Sequence, residues 1–149
     1  TKAQRLIDCT FEAMHKGIEE ISPKAKLGDL GHAIQSYAES LNYSVVRDFC
    51  GHGVGKKFHE NPSILHYYDK EYDNINFVDG MIFTIEPMIN AGKYYSKILG
   101  DGWTAVTKDK TLSAQYEHTI YINGDNIEIL TNSPTGIFYN WYQDTLEKF

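Results

Sequence analysis

Cysteine is scarce in this chain, with two in 149 residues, and long apolar runs and clusters of cations are absent. Cys9 and Cys50 are too few for a disulfide framework. Both read as thiols of a reducing compartment, which points to the cytoplasm. No apolar run reaches the ~18 residues that a membrane-spanning helix needs, so no membrane partner is expected. Lys and Arg number 14 against 20 Asp and Glu, a formal net charge of −6. Nucleic-acid binding needs clustered cations to meet phosphates, so it is set aside. The opening "TKAQRLIDCTFEAM" is amphipathic and lacks the continuous apolar core of a secretory signal. It does not begin with Met, so a longer parent chain is expected, and an organellar address would lie upstream of Thr1. No tandem repeat or low-complexity segment occurs. What is present is ordinary globular composition, 42% hydrophobic and 23% charged, at a length that suits one domain with a core.

The first half reads as two helices. Between Lys2 and Ile21 the apolar residues Ala3, Leu6, Ile7, Phe11, Met14, Ile18 and Ile21 recur at threes and fours. "TKAQ" has the form of a capping box, with Thr1 accepting and Gln4 reaching back. "SPKAK" breaks this helix, and a second runs from about Leu27 to Leu41, with Asn42 as a left-handed stop. The period then shortens. "YSVVRDF", "MIFTIEPMIN", "WTAVT", "SAQYEHTIYI" and "IEIL" read as strands, the second ended or bulged at Pro87. "HYYDKEYDNINFVDG" reads as a loop. Helices followed by hairpin-linked strands predict an α+β fold, an antiparallel sheet with two helices on one face. Residues 1–132 form the expected domain. The aromatic tail 133–149 has no assignable structure.

Strand alternation then sorts the polar residues. Ile82, Thr84 and Glu86 share one face of their strand, so Glu86 projects from an apolar segment where a bare carboxylate is costly. Gln115, Glu117 and Thr119 share a face of another strand that should be half-buried. In "CGHGVGKKFHENP", Gly51, Gly53 and Gly55 let the backbone bend and approach a ligand closely around His52, with His59 a short step on. One imidazole and two carboxylates make an oxygen-rich set that suits Mn, Fe, Co or Zn. Each feature alone has a plainer explanation. A Glu beside Pro is usually an edge residue on water, Glu117 with His118 can be a surface pair, and a Gly-rich turn lacking the Lys-Ser/Thr of a phosphate loop is common. His15, His32, His66 and His118 read as solvent-facing or satisfied structural histidines. Phe58 and Trp103 read as core residues.

The stretches "VVRDFCGHGVGKKFHENPSILHY", "GMIFTIEPMINAGK", "DGWTAVTKDKTLSAQYEHTI" and "GHAIQSYAES" resemble the C-terminal half of type I methionine aminopeptidases. The likeness covers most of Lys2 to about Leu130. It implies the pita-bread fold, two similar α+β halves facing each other around two divalent metal ions (Co, Mn, Fe or Zn), and removal of the initiator Met from nascent proteins. By motif, His52 resembles the histidine ligand. Glu86 resembles the carboxylate that ligates and relays a proton. Glu117 resembles the bridging carboxylate. His59 resembles the histidine that hydrogen-bonds the substrate amide. Phe58 and Trp103 match aromatics of the methionine pocket, and Gln115 matches a residue close to the site. Met88 after "TIEP", and "SAQYEHT" around the last ligand, separate the chain from the related prolidases; no helical insertion of the type II enzymes occurs.

The resemblance supplies three of five metal ligands, and nothing resembles the N-terminal half that carries the other two. The chain alone is therefore expected to bind a metal pair weakly or not at all and to lack normal activity. The partners implied are the N-terminal Met of nascent polypeptides, the ribosome and the missing N-terminal half. Two other classes stand beside this reading. One is a pita-bread binding module without activity. The other is an isolated half that self-associates through an uncovered apolar face.

Overall fold

The computed structural model describes residues 1–132, and the tail 133–149 lies outside the described residues. Two helices open the chain, α1 (Lys2–Glu19) and α2 (Leu27–Ser40). Leu6, Cys9, Ala13 and Met14 are buried along α1, and Leu27, Leu30, Ile34 and Ala38 along α2, as the periodicity requires. The Thr1 hydroxyl accepts the Gln4 N–H at 3.1 Å. The reciprocal half of the box does not form, because the Gln4 amide turns forward to the Asp8 carboxylate at 2.8 Å. A charged acceptor one turn on competes better than a lone backbone N–H at the helix start. Asn42 stops the second helix at φ 62°, the left-handed conformation expected of it. The helices meet closely at Gly17, where a Cβ would come within 2.7 Å of Ile34.

Ten short strands follow among the described residues: β1 (Ser44–Val45), β2 (Gly51–Gly53), β3 (Glu60–Ile64), β4 (Ile82–Ile85), β5 (Met88–Asn90), β6 (Ser96–Ile98), β7 (Ala105–Thr107), β8 (Ser113–Gln115), β9 (His118–Asn123) and β10 (Asn126–Ile129). They form a five-stranded sheet ordered β10-β9-β4-β2-β3, a three-stranded sheet β1-β5-β8 and a hairpin β6-β7. Every pairing is antiparallel. Phe83, Ile85, Ile89, Ile120 and Ile122 from the sheets join Leu6, Met14, Leu30 and Ile34 from the helices in one buried cluster. The α+β expectation, with helices on one face of antiparallel sheet, holds.

Three strand readings change. "YSVVRDF" shrinks to the two residues of β1; after Val46, Arg47 leaves the ladder to lie over the rings of Tyr67 and Tyr94 at 5.3 and 4.3 Å. The expected loop after His66 holds a short 3-10 helix, Lys70–Asn74, whose first turn is capped by the Asp69 carboxylate on the Glu71 N–H. "MIFTIEPMIN" and "SAQYEHTIYI" are each two strands. β4 and β9 belong to the five-stranded sheet, β5 and β8 to the three-stranded one.

Candidate metal centre

The site forms where these two segments change sheets together. Ile85 pairs with His118 on one side of the break, and Met88 pairs with Gln115 on the other. The register is the same on both sides, which sets Glu86 opposite Glu117 and Pro87 opposite Tyr116. Pro87 has no N–H to give a ladder, so it suits the break. Like charges directly across a strand pair repel. The arrangement therefore concentrates negative potential at one seam.

Glu86 is half-buried and held through a chain of hydrogen bonds. The Thr84 hydroxyl donates to Glu86 Oε1 at 2.8 Å and accepts the backbone N–H of His52 at 3.0 Å. His52 Nε2 lies 3.6 Å from the same carboxylate oxygen. The other ring nitrogen, Nδ1, lies 2.9 Å from the carbonyl of Gly53. A carbonyl can only accept, so Nδ1 carries the hydrogen; in the neutral ring Nε2 then has its lone pair on the Glu86 side. The backbone of Glu86 is held as well. Its N–H donates to Nε2 of His66 at 3.1 Å, and its carbonyl accepts from the Gln115 amide at 3.3 Å. Burial drives the His66 pKa down to about 3, so this imidazole is neutral and able to accept. The Glu86 carboxyl is pushed above its ordinary value, first by burial and also by the charge of Glu117, while the Thr84 hydroxyl, His52 and His59 pull the other way.

Glu117 departs from expectation. It is exposed rather than half-buried, because it lies in the two-residue break after β8 ends and before β9 begins. Among the described residues no hydrogen bond reaches its carboxylate. His59 is also exposed, with its ring centroid 4.2 Å from that of His52. The two histidines line an open cleft of about 510 Å³ with Lys57, Glu60, Asn61 and Ser63.

The glycines have a different job from the one their number suggests. None of the three has a positive φ. A Cβ on Gly51 would meet the Thr84 carbonyl oxygen at 2.2 Å, and one on Gly53 the Asn61 carbonyl oxygen at 2.4 Å. Strand β2 is thus pressed between its two neighbours, and close approach of backbones, not bending, demands glycine there. That closeness brings the His52 N–H onto Thr84.

The aromatic residues are not core. Phe58 is 71% exposed and Trp103 is 88% exposed. Phe58 packs against the site's imidazoles, its ring 5.4 Å from His52 and 4.6 Å from His59. Trp103 sits at the tip of the β6-β7 hairpin and does not line the His52 cleft. The sequence marks neither His66 nor Thr84 as part of a site. Thr84 had a readable signal, two positions before Glu86 on the same face of a strand; His66 had none. A second cavity, about 260 Å³, lies beside β5 and β8 and holds none of the sequence-predicted residues.

Among the described residues no three His, Cys, Asp or Glu side chains converge closely enough to hold a metal ion. The donor chemistry nevertheless fits part of a divalent site. An imidazole nitrogen faces a carboxylate, its other nitrogen is tied to a carbonyl as in most ligating histidines, and a second carboxylate stands opposite the first. No helix among these residues is long and apolar enough to cross a membrane.

A family of metal-dependent peptidases matches this layout: residues 1–124 match metallopeptidase family M24, and the chain belongs to that family. Within it, the chain is similar to the methionine aminopeptidase of Rickettsia prowazekii, at 56% identity over 144 residues that cover 95% of this chain and 54% of that protein. The crystal structure of the Rickettsia prowazekii enzyme superposes with a TM-score of 0.80 over 85% of this chain and 51% of that one. The Thermotoga maritima methionine aminopeptidase, 40% identical, superposes with a TM-score of 0.83 over 89% of this chain and 53% of that one. The chain thus spans about half the length of the relatives it matches.

Proposed function

We propose that residues 1–132 are the C-terminal half of a methionine aminopeptidase catalytic domain, one that removes the N-terminal Met from nascent polypeptides in the cytoplasm. The observation that carries this reading is the meeting of His52 Nε2 with Glu86 at 3.6 Å, in a chain 56% identical to a methionine aminopeptidase. In this reading His52, Glu86 and Glu117 hold two divalent ions together with ligands of an N-terminal half. The ions, when bound, polarise a carbonyl and lower the pKa of water.

The remaining work falls to this chain's side chains. Glu86 takes a proton from water and gives it to the leaving amine. Thr84 keeps one Glu86 oxygen engaged, so proton traffic falls to the other oxygen. His59, exposed beside His52, donates to the amide of the bound peptide. Phe58, whose ring packs on His52 and His59, forms one wall for the Met side chain; a thioether suits aromatic contact.

The test joins the N-terminal half of the Rickettsia prowazekii enzyme to this chain and follows Met release from Met-Gly peptides with Mn²⁺ or Co²⁺. His52→Ala and Glu117→Ala are expected to remove both turnover and bound metal. His59→Ala is expected to lower turnover about 10²-fold or more while metal content stays. Unchanged metal content in the first two variants would sink the ligand assignment; loss of metal in the third would make His59 a ligand.

A further inference from the structure

Glu86 stands at a break where no ladder fixes the backbone. Strand β4 ends at Ile85 and Pro87 has no N–H, so the Glu86 N–H is the donor left at the seam. The group that takes it is a side chain, His66, which follows β3 and is only 2% exposed. An imidazole in a buried place is costly, and an apolar side chain would fill the same volume without that cost. The platform under His66 is itself fixed. The carbonyl oxygens of Leu65 and Tyr67 press so closely on α2 that a Cβ at Gly31 would meet them at 2.9 and 2.4 Å. The Tyr68 N–H is held in addition by the Gln35 side chain at 2.8 Å. A rigid path therefore runs from α2 through His66 to the backbone of Glu86.

We infer that His66 is a positioning residue for the Glu86 carboxylate: its ring nitrogen, as an acceptor, sets the backbone direction at which β4 passes into β5 and so aims Glu86 at His52. The functional meaning of this role rests on Glu86 being a metal ligand, but the role itself is measurable without metal. Gln115 assists from the other side by donating to the Glu86 carbonyl. The two bonds act on different peptide units, His66 on Ile85–Glu86 and Gln115 on Glu86–Pro87, so the Gln115 bond does not replace that of His66.

The experiment is NMR on the full chain, comparing wild type with His66→Leu and His66→Gln; the Gln Oε1 can take the same hydrogen. Wild type should show coupling across the hydrogen bond between the Glu86 amide and a non-protonated His66 Nε2. In His66→Leu the Glu86 amide should exchange at least about tenfold faster relative to the Phe83 and Ile120 amides, and His66→Gln should restore it to within about threefold. In the protein joined to the Rickettsia prowazekii N-terminal half, Mn²⁺ affinity should fall about 10- to 100-fold in His66→Leu and recover in His66→Gln. A His66 Nε2 that carries hydrogen, or a Glu86 amide indifferent to both substitutions, overturns the positioning role whether or not Mn²⁺ binds. A joined protein that binds no Mn²⁺ while the amide of the chain responds as expected supports the positioning role and overturns the ligand reading alone. If His66→Leu does not fold, the wild-type coupling and the Gln variant decide.

Discussion

Glu86 and Glu117 face each other across one seam, yet their surroundings differ. Glu86 is tethered at its carboxylate by Thr84, at its N–H by His66 and at its carbonyl by Gln115. Glu117 is exposed, and no hydrogen bond reaches its carboxylate among the described residues. Beneath Glu86 lie the fully buried Phe83 and Ile85; beside Glu117 lie the half-buried Tyr116 and His118. One carboxylate is fixed before any ligand arrives, and the other is free to move. Under the proposed function the site holds a cation and relays a proton, and it gains from fixing the relay, because a proton acceptor works only within hydrogen-bond reach of its partner.

The comparison can be broken most forcefully in the core. Phe83 is fully buried and stacks on Phe77 with ring centroids 5.6 Å apart. Phe83→Ala should cost about 3–5 kcal/mol by chemical denaturation. Tyr116 is half-buried, with one edge contact to Phe11 at 5.3 Å. Tyr116→Ala should cost no more than about 2 kcal/mol. Equal losses would mean that both sides of the seam are equally anchored.

Acid gives the next effect. His66 titrates at about 3 when folded against an ordinary value of 6.5, so between these limits the unfolded chain binds one more proton. Stability then falls as pH falls, by about 1.4 kcal/mol per pH unit, or about 2 kcal/mol between pH 7 and pH 5. Urea midpoints against pH should flatten in His66→Gln. His118, on the Glu117 side, is also pulled down, first by burial and then by the charge of His15. Because it is only half-buried, His118→Gln should flatten the curve less.

Some of this contrast could be read from the sequence. The helical stripes and the Asn42 stop follow from apolar spacing and one left-handed residue. The shared face of Thr84 and Glu86 follows from strand alternation. The double break does not. "TIEPM" carries a proline that marks it, but "SAQYEH" has neither Gly nor Pro, and its β-propensity is the same on both sides. Only pairing with β4 and β5 reveals where it changes sheets. Strands of three residues, such as β2 and β6, are too short to display a period. Phe58 and Trp103 read as core because hydrophobicity favours burial on average. The structure leaves both rings exposed. His66 lies in a "LHYY" run with no period at all, and its partner is twenty residues away.

Charge removal sharpens the comparison at the carboxylates themselves. The folded pKa of Glu86 is raised above the ordinary 4.5, chiefly by burial, so its ionised form is disfavoured in the folded chain. A raised carboxyl pKa contributes stability that is fully present below the unfolded value and lost as pH rises through the folded one. Glu86→Gln should therefore melt higher than wild type in metal-free buffer at pH 8, with the difference vanishing below about pH 4. Glu117→Gln, on an exposed residue, should shift stability by no more than about 0.5 kcal/mol. A stabilised Glu117→Gln with an unchanged Glu86→Gln would reverse the assignment of which carboxylate is constrained.

The smallest effect tests whether the two carboxylates share a site at all. The charge of Glu117 is one of the causes that raise the Glu86 pKa. If the register places them opposite each other, Glu117→Gln should lower the Glu86 midpoint followed by ¹³C NMR. Salt should imitate the substitution, because the screening length shrinks from about 10 Å at 0.1 M to about 3 Å at 1 M. In wild type, 1 M salt should bring the Glu86 midpoint down; in Glu117→Gln the same salt should shift it less. A Glu86 midpoint that ignores both the substitution and the salt would leave burial as its whole cause. The seam would then be a crossing of strands and not a meeting of ligands.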